Sequence, residues 1–118
     1  MALPTGDALL LLHNPRCSKS RAAKSLLEER GARFEVRLYL EAPLSKAELS
    51  DLRRRLGRPA REWVRRGEPA GAGLAVDSDD ASVLAAIAAH PELLERPILV
   101  RGDRAVVGRP PEAVLELL

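Results

Sequence analysis

Apolar positions along the chain follow three rhythms. Residues 8–12 (ALLLL) are apolar without interruption and are followed by Asn14 and Pro15, which predicts a short strand covered on both faces. From Ser18 the spacing turns helical, with Ala22, Ala23, Leu26 and Leu27 on one face and Arg21, Lys24 and Glu28 on another. Gly31 is placed to end that helix. Residues 33–39 then alternate. Phe34, Val36 and Leu38 point one way and Arg33, Glu35 and Arg37 the other, so a second strand with a charged outer face is expected, parallel to the first through the crossover helix.

Pro43 opens a helical stretch in which Ser45 and Glu48 have the spacing of a capping box ahead of Leu49, Leu52 and Leu56, and Gly57 stops it. A shorter helix is expected over 59–66, a flexible connection over 67–75, and a further helix from an N-cap within 77–80 to Ala89, ended by His90-Pro91. Two strands, 98–101 and 104–107, flank Gly102-Asp103, a two-residue loop suited to a tight hairpin. Gly108 and two prolines lead into a terminal helix bearing Val114, Leu115, Leu117 and Leu118. The order is βαβ, a helical insert at about 43–92, then ββα. It predicts a single α/β domain over 1–118, built on a four-stranded mixed sheet without internal repeats.

Composition narrows the chemistry. At 118 residues and 46% hydrophobic content, an ordinary core is available without covalent staples. The chain holds one cysteine, which excludes an internal disulfide, a CxxC pair and a cysteine-rich zinc site, and His13 and His90 add too few ligands to support a metal centre. A cytoplasmic setting is the expectation. The apolar run at 8–12 is too short for a membrane span and lacks the basic flank of a signal peptide. Formal charge is only +2, yet 16 of the 19 basic residues are arginine, the side chain best suited to gripping oxyanions. The basic run Arg53, Arg54, Arg55, Arg58, Arg61, Arg65 and Arg66 is interleaved with Glu48, Asp51 and Glu62 and has Trp63 as its one nearby aromatic. It reads as a solvated helix face rather than a nucleic-acid surface.

Cys17 is the position where chemistry concentrates. It lies in His13-Asn14-Pro15-Arg16-Cys17-Ser18-Lys19-Ser20-Arg21, between the first strand and the first helical turn. Unpaired N–H groups and the helix dipole favour a thiolate there, and thiols in such settings titrate at about 3.5–7.5 rather than about 8.5. The same N–H groups can cradle an oxyanion beside the sulfur. The plainer alternative is an unreactive, partly buried cysteine. Three arginines could complete an oxyanion site: Arg96 before Pro97, Arg109 between Gly108 and Pro110, and Arg65 on the short helix bearing Trp63. Spacing alone does not separate them from surface arginines.

The segment 13–21, followed by Tyr39-Leu40 with Pro43, by Arg61 and Arg65, by His90-Pro91, by Glu95-Arg96-Pro97-Ile98 and by Gly108-Arg109-Pro110, resembles the glutaredoxin-dependent arsenate reductase family. The resemblance spans about residues 9–118 in one order. It implies a thioredoxin/glutaredoxin-like fold, with Pro97 at the position of that fold's cis-proline. It further implies Cys17 as nucleophile, His13 as the neighbour favouring its thiolate, and Arg65, Arg96 and Arg109 as substrate-binding arginines, with the turn Ser18, Lys19 and Ser20 beside them. It implies glutathione as co-substrate, glutaredoxin as partner, no tightly bound cofactor, and a monomer acting on a small oxyanion. The small, glycine-rich stretch after Arg65 and the end of the chain at Leu118 depart from many members and bear on how the site closes over substrate. Two other roles occur among proteins of related fold: an Spx-like regulator that binds RNA polymerase, and a glutathione-dependent reductase acting on another substrate. The redox-sensing regulators use a CxxC pair, whereas here Ser20 stands three residues after Cys17.

Overall fold

Leu9–His13 form β1, and all five residues are buried, as an uninterrupted apolar run requires of a central strand. The computed structural model describes residues 3–65 and 79–118. Helix α1 spans Ser18–Glu29 and strand β2 Phe34–Leu38. Helix α2 covers Lys46–Leu56, a 3-10 turn Ala60–Trp63, and helix α3 Asp80–Ala89. A second 3-10 turn, Pro91–Leu93, precedes β3 (Ile98–Arg101), β4 (Arg104–Val107) and a terminal 3-10 segment, Pro111–Leu117.

The sheet order is β2-β1-β3-β4. β1 and β2 are parallel, while β1 with β3 and β3 with β4 are antiparallel, so the sheet is four-stranded and mixed. Register decides where function can sit. Leu12 pairs with Ile98, and Ile98 with Val107, so His13, the last residue of β1, comes to one common end of the sheet with Pro97 and Gly108, which flank β3 and β4.

Two layers cover the sheet. Ala23 and Leu27 of α1 and Val114 and Leu117 of the terminal segment pack on Leu9, Leu11 and Leu99. Leu10, Leu12, Ile98 and Val100 face Leu49, Leu52, Trp63, Val83 and Ile87 on the other side. At roughly 2 kcal/mol for each large side chain fully buried, these layers hold the strand ends in place. The capping box forms as expected: Ser45 accepts from the Glu48 N–H, the Glu48 carboxylate accepts from the Ser45 N–H, and Gly57 closes α2 in the left-handed region at φ 65°.

Several expectations change. Val36 is 38% exposed, whereas Arg37, assigned to the charged outer face, is buried. β2 is an edge strand, and the N-terminal turn of α2 lies over Arg37. There Glu48 engages both terminal nitrogens of the guanidinium, while the carbonyls of Ala42 and Pro43 accept further bonds. The 59–66 helix is a 3-10 turn ending at Trp63, and the terminal helix is also 3-10, with Ala113 N–H donating to the Pro110 carbonyl. Pro110 and Pro111 lack the N–H donors an α-helical first turn would present. The basic run is not simply solvated either. Arg55 is buried and reaches the carbonyls of Pro4 and Gly102, Arg53 pairs with Asp80, Arg54 with Asp51 and Arg58 with Glu62. The 67–75 connection, Arg66 and the capping candidates Asp77 and Ser78 lie outside the described residues, and Asp79 is the N-cap of α3. Among the described residues no helix is long and apolar enough to cross a membrane.

Candidate active site

The turn between β1 and α1 is closed by Asn14. Its carbonyl accepts from the Cys17 N–H at 3.0 Å and its side-chain oxygen from the Arg16 N–H at 3.0 Å, the Asx geometry that competes with helix and so delays the helix start. Cys17 is left as the N-cap of α1 with extended backbone (φ −94°, ψ 124°). Its carbonyl accepts the first helical bond, from the Arg21 N–H, but its side chain makes no capping bond. Cys17 is half-buried. The N–H groups of Ser18, Lys19 and Ser20 fall in the first turn, where no intrahelical acceptor exists.

His13 and Ser20 brace this turn from below. Ser20 is fully buried, and its Oγ lies 2.7 Å from His13 Nδ1 and accepts from the Asn14 N–H at 3.0 Å. The Ser20 oxygen thus links the imidazole to the Asn14 backbone. Burial, and then the positive charges of Lys24 and Arg21, lower the His13 pKa below its ordinary 6.5. A neutral imidazole results at neutral pH. His13 thus braces the cysteine turn, and the Ser20 hydroxyl is engaged within it. Ser18 and Lys19 are exposed.

The arginines arrive by separate routes. Arg109 follows β4 and places Nη2 3.8 Å from Cys17 Sγ, while its Nε donates to the Arg96 carbonyl and faces Glu95 Oε1, each at 2.9 Å. Arg96 precedes β3 and is 4% exposed, and its Nε is buried without a hydrogen-bond partner among the described residues. A buried, unmatched guanidinium donor is costly unless an anion completes it. Arg65 is brought alongside by a short antiparallel contact: Val64 bridges Leu94, the Arg65 N–H donates to the Leu93 carbonyl at 2.6 Å, and the Glu95 N–H donates to the Trp63 carbonyl at 3.0 Å. The Arg96-Pro97 and Arg109-Pro110 peptides are both cis, the first at the position implied by resemblance and the second not anticipated. The Gly108 N–H donates to the Pro97 carbonyl at 2.7 Å.

Two further groups were not assigned roles from sequence. Tyr39 is 1% exposed, and its hydroxyl is buried without a hydrogen bond of good geometry, although the Asn14 amide stands close. Burial outweighs the opposing effect of that Asn14 amide and holds its pKa far above the ordinary phenol value, so it stays protonated. Glu95 is the other: a carboxylate paired with the Arg109 guanidinium. Both stand in segments that carry the resemblance, but residue type alone gives no reason to place them at the cysteine. Among the described residues no group of three or more His, Cys, Asp or Glu side chains could hold a metal ion.

The arrangement is a cysteine at a helix N-terminus with the Arg109 guanidinium beside its sulfur, suited to binding a small oxyanion there. The sequence pattern of the ArsC family matches residues 12–117. An arsenate reductase of Neisseria meningitidis serogroup A is 47% identical over 112 residues, covering 92% of this chain and 96% of that one. One from Haemophilus influenzae is 40% identical over 115 residues, covering 94% and 99%. Among solved structures, an arsenate reductase from Vibrio cholerae superposes with a TM-score of 0.88 at 41% identity, covering 97% of this chain and all of that one.

Proposed function

The chain belongs to the ArsC family and has its thioredoxin-like fold, and from that premise we propose that it reduces arsenate, with Cys17 as the only protein nucleophile and glutathione and glutaredoxin as external thiol donors. The observation that carries the reading is the contact between Arg109 Nη2 and Cys17 Sγ, with Arg109 in turn held by the carbonyl of Arg96, whose buried Nε has no hydrogen-bond partner among the described residues.

Arsenate docks against Arg65, Arg96 and Arg109 and the N–H groups of Ser18, Lys19 and Ser20, which offset its charge and present arsenic to the sulfur. Cys17 thiolate attacks arsenic(V). An arsenic oxygen departs as water after protonation, leaving a sulfur-arsenic bond with arsenic still pentavalent. Glutathione thiolate then joins its sulfur to Cys17. The sulfur-arsenic bond breaks with its electron pair going to arsenic, giving arsenite and a Cys17-glutathione disulfide, so two thiol sulfurs are oxidised as one arsenic is reduced. A glutaredoxin thiol attacks the glutathione sulfur and frees Cys17. Outside thiols are required because the chain has one cysteine, and the reducing cytoplasm, where this monomer would work, supplies them.

The test is NADPH oxidation coupled through glutathione reductase, glutaredoxin and glutathione. Turnover is expected only with arsenate present and is lost in Cys17→Ser. Arsenate-independent turnover on another disulfide would favour the alternative reductase, and capture of RNA polymerase without turnover would favour the regulator.

A further inference from the structure

Glu95 is an acid where an anion is meant to sit. Its side chain is 20% exposed, and its described contacts fall on Oε1, which faces Arg109 Nε at 2.9 Å and the Arg96 N–H at 3.4 Å. On Arg109, Nε and Nη2 lie along one edge of the planar guanidinium, and Nη2 is the atom 3.8 Å from Cys17 Sγ. An oxyanion held beside the sulfur by that nitrogen is therefore the immediate neighbour of the Glu95 carboxylate.

An ionised carboxylate can only accept hydrogen bonds. Beside it, an oxyanion with a proton on one oxygen can donate that proton in a charge-assisted hydrogen bond, whereas a fully deprotonated one meets only like-charge repulsion. Near neutral pH arsenate and phosphate retain at least one proton, and sulfate retains none. Shape does not separate these tetrahedral ions well, but proton count does, in the same way that a site built to pair a ligand hydroxyl rejects an analogue lacking it.

We propose that Glu95 is a specificity-determining residue that reads the protonation of the bound oxyanion, admitting hydrogen-bearing tetrahedral anions and rejecting sulfate. This inference rests on the oxyanion-binding reading of the Cys17 site and deepens it. A carboxylate that served solely to orient Arg109 would leave the order of anion preference unchanged when replaced by its amide, because the amide oxygen can still accept from Arg109 Nε.

The test is protection of Cys17 from iodoacetamide by arsenate, phosphate or sulfate at neutral pH and matched ionic strength, read by mass spectrometry in the absence of turnover. In the wild-type protein, arsenate and phosphate are expected to protect at concentrations roughly ten- to a hundredfold below sulfate, the size of one charge-assisted hydrogen bond. In Glu95→Gln the gap is expected to shrink to within about threefold, because sulfate gains a donor amide and loses a repelling charge. Glu95→Asp, which keeps the charge, is expected to keep rejecting sulfate. Equal protection of the wild-type protein by sulfate and arsenate would overturn the proposal while leaving the oxyanion site standing, and needs no variant. An unchanged preference in a folded Glu95→Gln protein would do the same. Protection by no oxyanion at all would remove the oxyanion reading itself, and this inference with it.

Discussion

Gly108→Ala tests how the end of β4 is fitted to the site. Gly108 lies where the chain turns from Val107 toward Arg109, and its N–H donates to the Pro97 carbonyl. A Cβ placed there would stand 2.6 Å from Pro97 Cγ, 3.0 Å from Val114 Cγ1 and 3.3 Å from Pro97 Cδ. Ordinary carbon contacts sit at about 3.5–4.0 Å, so the methyl demands roughly 1 Å of movement from a rigid ring. Gly108 is not among the glycines with positive φ, so the effect is steric. Overpacking of this kind costs about 1–3 kcal/mol, and for a chain this long that lowers Tm by roughly 4–12 °C. The ring belongs to the residue after Arg96, whose carbonyl holds Arg109, so the displacement reaches two arginines of the site and KM for arsenate is expected to rise. Gly31→Ala is the control. It has nothing within 4 Å of its added carbon and sits at φ +69°, so it is expected to lose about 1 kcal/mol with KM unchanged. A Gly108→Ala protein with wild-type Tm and KM, measured by calorimetry and the coupled assay, would refute the steric argument.

Two other perturbations follow from buried charge. Glu48→Ala leaves Arg37 charged and buried without its bidentate partner and removes half of the α2 capping box. A loss of about 3–5 kcal/mol in urea unfolding is expected, and a loss under about 1 kcal/mol would show that the pair contributes little. Burial by itself would raise the Glu48 pKa, but the hydrogen bonds from Arg37 and the Ser45 N–H, with the Arg37 charge, outweigh it and leave the folded value below the ordinary 4.5. Its contribution is thus complete above about pH 4.5 and is lost as pH falls through the folded value. His13 has the same sign for a different reason. Its folded pKa lies below 6.5, so above that pH both states are neutral, and below it the unfolded chain takes up the proton first and stability falls. His13→Gln is expected to flatten the slope of urea stability between pH 6.5 and the folded pKa, and an unchanged slope would contradict the assignment of a neutral, buried imidazole.

The strand and helix order was legible because each element carries a strong local signal. Residues 8–12 could scarcely be other than a buried strand, and the pairing of Ser45 with Glu48 three residues on marks a helix start whatever surrounds it. Where tertiary contacts decide, the local signal misled. Alternation placed Arg37 in solvent, but alternation cannot say that the α2 turn would fold over that edge and supply a carboxylate. The arginine run read as a solvated face because each partner, Asp80 for Arg53 and the carbonyls of Pro4 and Gly102 for Arg55, is distant in sequence. In the site, Cys17 was legible from its position at a strand-to-helix turn, whereas Arg96 and Arg109 needed either resemblance or the register that sets Leu12, Ile98 and Val107 side by side. Glu95 and Tyr39 carried no local signal. They join the site through the bridge between Val64 and Leu94 and through burial, neither of which one sequence displays.

The central claim is that Cys17 is the lone protein nucleophile and that its resolving thiol comes from outside the chain. Intact-mass spectrometry after mixing the protein with arsenate and glutathione, with glutaredoxin omitted, addresses it directly. The account predicts one glutathione per chain, mapped to Cys17, formed only when arsenate is present and removed by adding glutaredoxin. A chain that releases arsenite without acquiring glutathione, or that acquires it equally without arsenate, would contradict it.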